Sequence, residues 1–193
     1  MSGGARSGDP DRFERLFEDL ESRADAQQRA EDDALGDELA RDAARRVTLV
    51  DRLRAVDGEV AAVVRGVGAV RGRITEVGAD VLVLGATDGS EWAVPVAAVL
   101  WVDGLGARAV DADAAGPVAA RLGFAALVRR WSRDRLPVTV HLVEGGALTG
   151  TPDRAAADHL DLAEHELDEP RRPEAVRRVV AVPFGAIAAL RRR

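Results

Sequence analysis

Residues 63–84 read VVRGVGAVRGRITEVGADVLVL, and residues 140–163 read VHLVEGGALTGTPDRAAADHLDLA. A shift of 78 positions lays Gly68 on Gly146, Gly72 on Gly150, Asp80 on Asp158, Leu82 on Leu160 and Leu84 on Leu162. Farther along, a shift of 88 lays Ala93-Val94-Pro95 on Ala181-Val182-Pro183, Ala98 on Ala186 and Val99 on Ile187. Self-similarity of this kind marks an internal duplication. The extra ten residues of the second copy fall in EHELDEPRRPEAVR, Glu164 to Arg177, a charged, proline-bearing stretch that reads as a solvated loop.

Working outward from the two stretches, each copy is a series of short β-rich runs separated by Gly and Asp. The first has VAAVVR, AVRGRITEV, DVLVL, EWAV and VLWV; the second has VTVHLV, ALTGTPD, HLDLA, RVVAV and AIAAL. A helix precedes each series. The first is expected from about Glu38 to Val56, with Leu39, Ala43, Val47, Val50 and Leu53 on one side and Asp57-Gly58 at its end. The second opens at Gly116-Pro117 and runs to about Arg133, with Leu122, Phe124, Ala125, Leu127, Val128 and Trp131 as its apolar stripe. Before both, residues 1–10 are too polar and glycine-rich to be ordered. Phe13, Leu16, Phe17 and Leu20 follow at i, i+3, i+4 and i+7, an amphipathic helix with an acidic outer face.

The glycines of the turn and second strand, followed by an Asp turn and alternating leucines, resemble the first half of the Sm motif. The VP-x-x-A-[VI] segments look like the short 3₁₀ turn that joins the last two strands of an Sm-like small barrel. The resemblance covers roughly residues 38–102 and 117–190 and implies an α+β chain of two tandem Sm-like five-stranded small barrels, each preceded by a helix. The organisation expected is a tail and acidic helical arm over 1–37, unit one over 38–102, a linker over 103–116 and unit two over 117–193. The family's Asn just before the Leu-x-Leu of the third strand is replaced by His159 in unit two and Val81 in unit one, and its terminal Arg-Gly by Asp103-Gly104 in unit one.

Composition narrows the chemistry. With 193 residues, 47% of them hydrophobic, the chain can bury a core. It has no Cys, which excludes disulfides, thiolate metal sites and cysteine nucleophiles. All 27 basic residues are Arg, and Lys, Tyr and Asn are absent, so a Schiff-base or phosphate-loop lysine is excluded too. Net charge is −6, and residues 1–46 carry 13 acidic side chains against 8 Arg, so most of the acidity is N-terminal. The longest apolar runs fall short of the roughly 20 residues of a membrane helix, and the first ten residues hold no apolar leader core. The expectation is a soluble, cytoplasmic protein.

Strand side chains alternate between faces. If Leu160 and Leu162 point inward, His159 and Asp161 point out, and so do Thr139 and His141. The outward positions of unit one are Ala61, Val63, Val81 and Val83, apolar where unit two is polar. Such a face is expected to be covered by the other unit, the N-terminal helix or another chain. His141 and His159 lie two strands apart in a meander, roughly 9.6 Å at about 4.8 Å per strand, too far for one metal. His165 with Glu164 and Glu166 reads as a solvated turn. Serines are scarce, and Gly66-Val67-Gly68 and Gly145-Gly146 are strand-turn glycines with no helix behind them to cradle phosphate.

The chain therefore reads as a non-enzymatic binding or scaffold protein with no cofactor and no metal. It would engage protein partners or itself through Phe13, Leu16, Phe17 and Leu20 of the arm and Val63, Val81 and Val83 of unit one. The alternative is RNA binding, with His159, Arg171, Arg172, Arg177 and Arg178 as the residues of unit two that would carry it. An acidic arm argues against docking on an anionic membrane.

Overall fold

A computed structural model describes residues 23, 27–28, 33–110, 122–168 and 171–193 of the chain. Contacts divide it into two compact units, Met1–Val47 and Thr48–Arg193. In the first, residues 33–46 form helix α1, with exposed ion pairs Asp37–Arg41 and Asp42–Arg45 along it. Leu35 and Leu39 on this helix are exposed. The expected arm helix at Phe13 to Leu20 lies outside the described residues, as do Gly116 and Pro117, where the second helix is expected to open. Leu122 and Gly123, expected inside that helix, precede it, because it starts at Phe124 with Gly123 as its N-cap and ends at Asp134.

The single helix expected from Glu38 to Val56 is two. α1 passes through Gly36 and stops before Val47, and α2 spans Leu49–Arg54. Thr48 causes the break. Its hydroxyl accepts a hydrogen bond from the Asp51 backbone N–H, and the Asp51 carboxylate accepts from the Thr48 N–H at 2.9 Å, a reciprocal cap that starts a new helix. The Thr48 hydroxyl also donates to the Asp51 carboxylate at 2.6 Å, and this bond holds the carboxyl below its ordinary range. Of the expected stripe, Leu53 is fully buried while Leu39 and Val47 are exposed.

The second unit contains ten strands, close to where the β-rich runs lie. They are β1 Glu59–Val64, β2 Gly68–Val77, β3 Val81–Gly85, β4 Glu91–Pro95, β5 Val99–Asp103, β6 Val138–Leu142, β7 Ala147–Ala155, β8 His159–Glu164, β9 Arg178–Pro183 and β10 Ile187–Arg192. Short 3₁₀ turns at Val96–Ala98 and Phe184–Ala186 join the last two strands of each half. Helix α3, Phe124–Asp134, precedes the second half.

The duplication extends to fine detail. The register shift between Ile74 and Glu76 in the β2–β3 pair recurs between Pro152 and Arg154 in β7–β8, 78 residues on. The 3₁₀ turns are fixed alike, by Val96 N–H donating to the Asp80 carbonyl and Phe184 N–H to the Asp158 carbonyl, both at 2.8 Å. Gly72 and Gly150 sit where the β3 or β8 backbone comes so close that a Cβ would collide with the carbonyl of Gly85 or Ala163.

The expected pair of five-stranded barrels is not what these strands build. The α+β content agrees, but all ten strands belong to one antiparallel open sheet in the order β5-β1-β2-β3-β4-β10-β6-β7-β8-β9. Closing a half on itself would require β4 to pair with β5. Instead the outer edge of β4 is taken by the other half, with Ala93 opposite Leu190, Trp92 opposite Arg191 and Glu91 opposite Arg192. Local patterning identifies strands; it does not say which edges meet.

Two cores follow from this arrangement. One gathers Leu53 of α2 with Val60, Ala62, Val64, Leu82, Leu84 and Val94, and takes in Ala188 and Ala189 of β10. The other packs Phe124, Leu127, Val128 and Trp131 of α3 between the strands of the second half and Val81, Val83 and Ala93 of the first. The run VLVL of β3 is thus buried on both faces, which is why it does not alternate.

Candidate functional site

The sheet ends in two unpartnered edges. Among the described residues β5 pairs only with β1, and β9 only with β8. A free edge offers unpaired backbone N–H and C=O groups to any strand laid beside it, and native proteins usually blunt such edges with charge. On β5 the outermost residues are instead large and apolar: Leu100 is 55% exposed and Trp101 57%. A bulge lies at this point: Val64 is opposite Val99 and Val63 is opposite Trp101, so Leu100 has no residue facing it on β1. Val63 is half-buried beside Trp101. On β9 Val179 is 58% exposed.

The other apolar residues expected to bind protein are placed differently. Val81 and Val83 are buried under α3 and the second half, so they are core and not an open docking face. Phe13, Leu16, Phe17 and Leu20 lie outside the described residues. The outer apolar face is thus largely covered from within the chain, and what remains of it is Val63 with the β5 edge. Sequence reading does not single out Leu100, Trp101 or Val179. The signal for the edge was the loss of alternation in VLWV, where two large apolar residues stand side by side.

The basic residues of the second half are largely engaged. Arg171 pairs with Asp153 at 2.7 Å, Arg177 with Glu166, and Arg178 with Glu164. The carboxylate partners of Arg171 and Arg178 hold both guanidiniums above their ordinary range. His159 donates through Nδ1 to Asp158 at 2.7 Å, which pulls the Asp158 carboxyl down. Arg172 has no carboxylate partner among the described residues. Arginines without a carboxylate partner among the described residues occur elsewhere: Arg129, Arg133 and Arg135, in the C-terminal half and cap of α3, line an open groove of about 490 Å³ with Ser132, Asp153 and Arg154. The acid of the groove, Asp153, is engaged by Arg171, and Arg154 pairs with Asp161.

The histidines are separated, and among the described residues no three His, Asp or Glu side chains are arranged to hold a metal ion. His165 is not in a solvated turn. It is buried, its Nδ1 donates to the Glu166 carbonyl at 2.7 Å, and its Nε2 lies 2.8 Å from the Thr151 hydroxyl. The Thr149 hydroxyl donates to the His165 carbonyl, so His165 ties the start of the Glu164–Arg177 stretch to β7 through both its ring and its backbone. His141 stacks on Trp92 across the junction of the halves, with ring centroids 5.1 Å apart, and burial lowers its pKa, aided by the Arg191 charge. No described helix is long and apolar enough to cross a membrane.

Compared with protein families, curated proteins and solved structures, the chain finds no match in any of the three.

Proposed function

We propose that this chain is a non-enzymatic scaffold, acting in the cytoplasm, that binds protein by strand addition at the outer edge of β5. The observation that carries the reading is the unpaired edge bearing Leu100 and Trp101, both more than half exposed. Main-chain hydrogen bonds to an added strand supply affinity, and the flanking apolar side chains supply selectivity. The acidic arm, with Phe13, Leu16, Phe17 and Leu20, is a second apolar handle for the same role. The repeated glycines, the recurring register shift and the paired 3₁₀ turns support the reading of two related halves with an Sm-like pattern of sequence, joined edge to edge. The test is amide hydrogen exchange over Val99–Asp103. Partner addition protects these amides in the native chain and not in Trp101→Glu; deletion of residues 1–37 reports whether the arm contributes. Unchanged exchange in the presence of bound partner removes the β5 reading.

A second reading, RNA binding, draws on the groove lined by Arg129, Arg133 and Arg135. If it binds phosphates, log affinity for single-stranded RNA falls steeply with log salt, and replacing the three arginines by Gln flattens the slope by about 2. The Arg171, Arg177 and Arg178 side chains enter this reading less readily, because each must first leave a carboxylate.

A further inference from the structure

We propose that helix α1 is a docking surface for the same helix of a second copy of this chain, the two lying antiparallel about a two-fold axis. The inference goes beyond strand addition at β5 and does not depend on it. Leu35 and Leu39 are 57% and 63% exposed, one helical turn apart. Ala43 follows at the next turn, and Val47, 42% exposed, stands just past the helix end, so the four make one apolar stripe. An amphipathic helix ordinarily buries such a stripe, and among the described residues nothing covers this one. A helix of fewer than about 15 residues is marginal in water without packing, and Gly36 inside α1 weakens it further.

Charge names the occupant. The first half of α1 carries Asp33, Asp37 and Glu38 and no arginine; the second carries Arg41, Arg45 and Arg46 against Asp42. This segregation suits the helix dipole, and it also makes the helix complementary to its own reverse. Laid antiparallel, the acidic half of one copy lies beside the basic half of the other, and the contact is isologous and closes at two copies. Laid parallel, acid would meet acid and arginine would meet arginine.

A symmetry axis level with Arg41 sets Leu35 opposite Val47, and Leu39 opposite Ala43, of the second copy, so the whole stripe stacks on itself. In that register Glu38 stands about 1.5 Å along the helix axis from Arg45 of the second copy, and the two lie on the same flank of the stripe. Glu38 has no basic partner among the described residues, and Arg45 holds only an exposed pair with Asp42 at 3.3 Å, so both are free to form the cross pair.

Sedimentation velocity of the full chain over a range of concentrations tests this, with substitutions at exposed positions of α1 that leave both cores untouched. The native chain is expected to reach a dimer and stop. Leu39→Glu is expected to lower the association constant by more than about tenfold, and Glu38→Arg and Arg45→Glu each by about threefold to tenfold. Glu38→Arg combined with Arg45→Glu is expected to recover most of the loss, because it exchanges the two ends of the same cross pair. In the cysteine-free chain, Leu39→Cys mixed with Ala43→Cys is expected to oxidise to a linked dimer. Leu35→Cys by itself is not, since its symmetry mate lies about 18 Å along the axis. A chain that stays monomeric at every concentration overturns the proposal, and so does association that Leu39→Glu leaves unchanged. If Trp101→Glu abolishes association and Leu39→Glu does not, copies meet at the β5 edge and α1 is not their contact. A linked dimer of Leu35→Cys alone makes the helices parallel and overturns the two-fold arrangement.

Discussion

At Gly150 the neighbouring strand leaves room for a hydrogen and none for a methyl group. A Cβ built there meets the Ala163 carbonyl oxygen and carbon of the neighbouring strand, and these are backbone atoms that cannot rotate away. Gly72 faces the carbonyl of Gly85 in the same way, so the glycine inside each second strand marks a close approach of main chains. Gly150→Ala is expected to destabilise by about 1–3 kcal/mol, the usual cost of overpacking, read as a lower urea midpoint. Gly145→Ala is a useful contrast: nothing lies near its Cβ, and its cost comes only from the left-handed φ of 92°. His141 supports a different expectation. Its folded pKa lies below that of the unfolded chain because burial disfavours the imidazolium, with Arg191 adding repulsion. The unfolded state then binds more protons in the window below the ordinary histidine value, so this contribution is present at higher pH and is lost as pH falls through that window. Urea midpoints at about pH 7.5 and about pH 5.5 are expected to show the fall, and His141→Phe, which keeps the stack on Trp92 without the proton, is expected to reduce it.

Among the elements, α3 shows how one half organises the other. Its N-cap is Gly123, which has no side chain to accept from the first turn. The acceptor is Asp80 in the β2–β3 turn of the first half, whose Oδ1 takes the Phe124 N–H at 2.6 Å. Beside it the Ala79 N–H donates to the Leu122 carbonyl at 2.9 Å, and a Cβ on Gly78 would collide with that same carbonyl. Asp80→Ala is expected to cost about 1 kcal/mol, as loss of an N-cap does, and Asp80→Asn to recover most of it, both measured by urea unfolding. A local reading of the sequence could not find this cap, because donor and acceptor stand 44 residues apart. What is local is legible: the ten β-rich runs and the turn glycines Gly68 and Gly146 with positive φ lie close to where periodicity and turn chemistry put them, and 3₁₀ turns stand at the VP segments, where the resemblance implied them. The break between α1 and α2 was equally local. The Thr48-Leu49-Val50-Asp51 cap is present in the sequence, but the apolar stripe from Leu39 to Leu53 runs across it and masks the break.

For the molecule as a whole, edge pairing decides the architecture, and edge pairing has no local signature. The polarity difference between the two copies did carry information: Val81 and Val83 are apolar because the second half and α3 cover them, which joins the halves into one cooperative body. Separating the halves would uncover those valines and Ala93, remove Ala188 and Ala189 from the first core, and leave β4 and β10 as two further free edges. The ion pairs Arg191–Asp88 and Arg192–Glu91 that also span the junction are partly exposed and add little by comparison. Thr48–Arg193 is therefore expected to unfold in one transition, with fluorescence of Trp92 and Trp131 and far-UV circular dichroism coinciding. Fragments covering residues 48–110 and 122–193 are each expected to exchange their strand amides without slow protection. Mixed together, they are expected to recover it at the β4–β10 junction, where Ala93 meets Leu190. Two separate transitions in the intact chain, or slow exchange in either fragment alone, would show that each half holds its own core and that the junction is only a contact between finished domains.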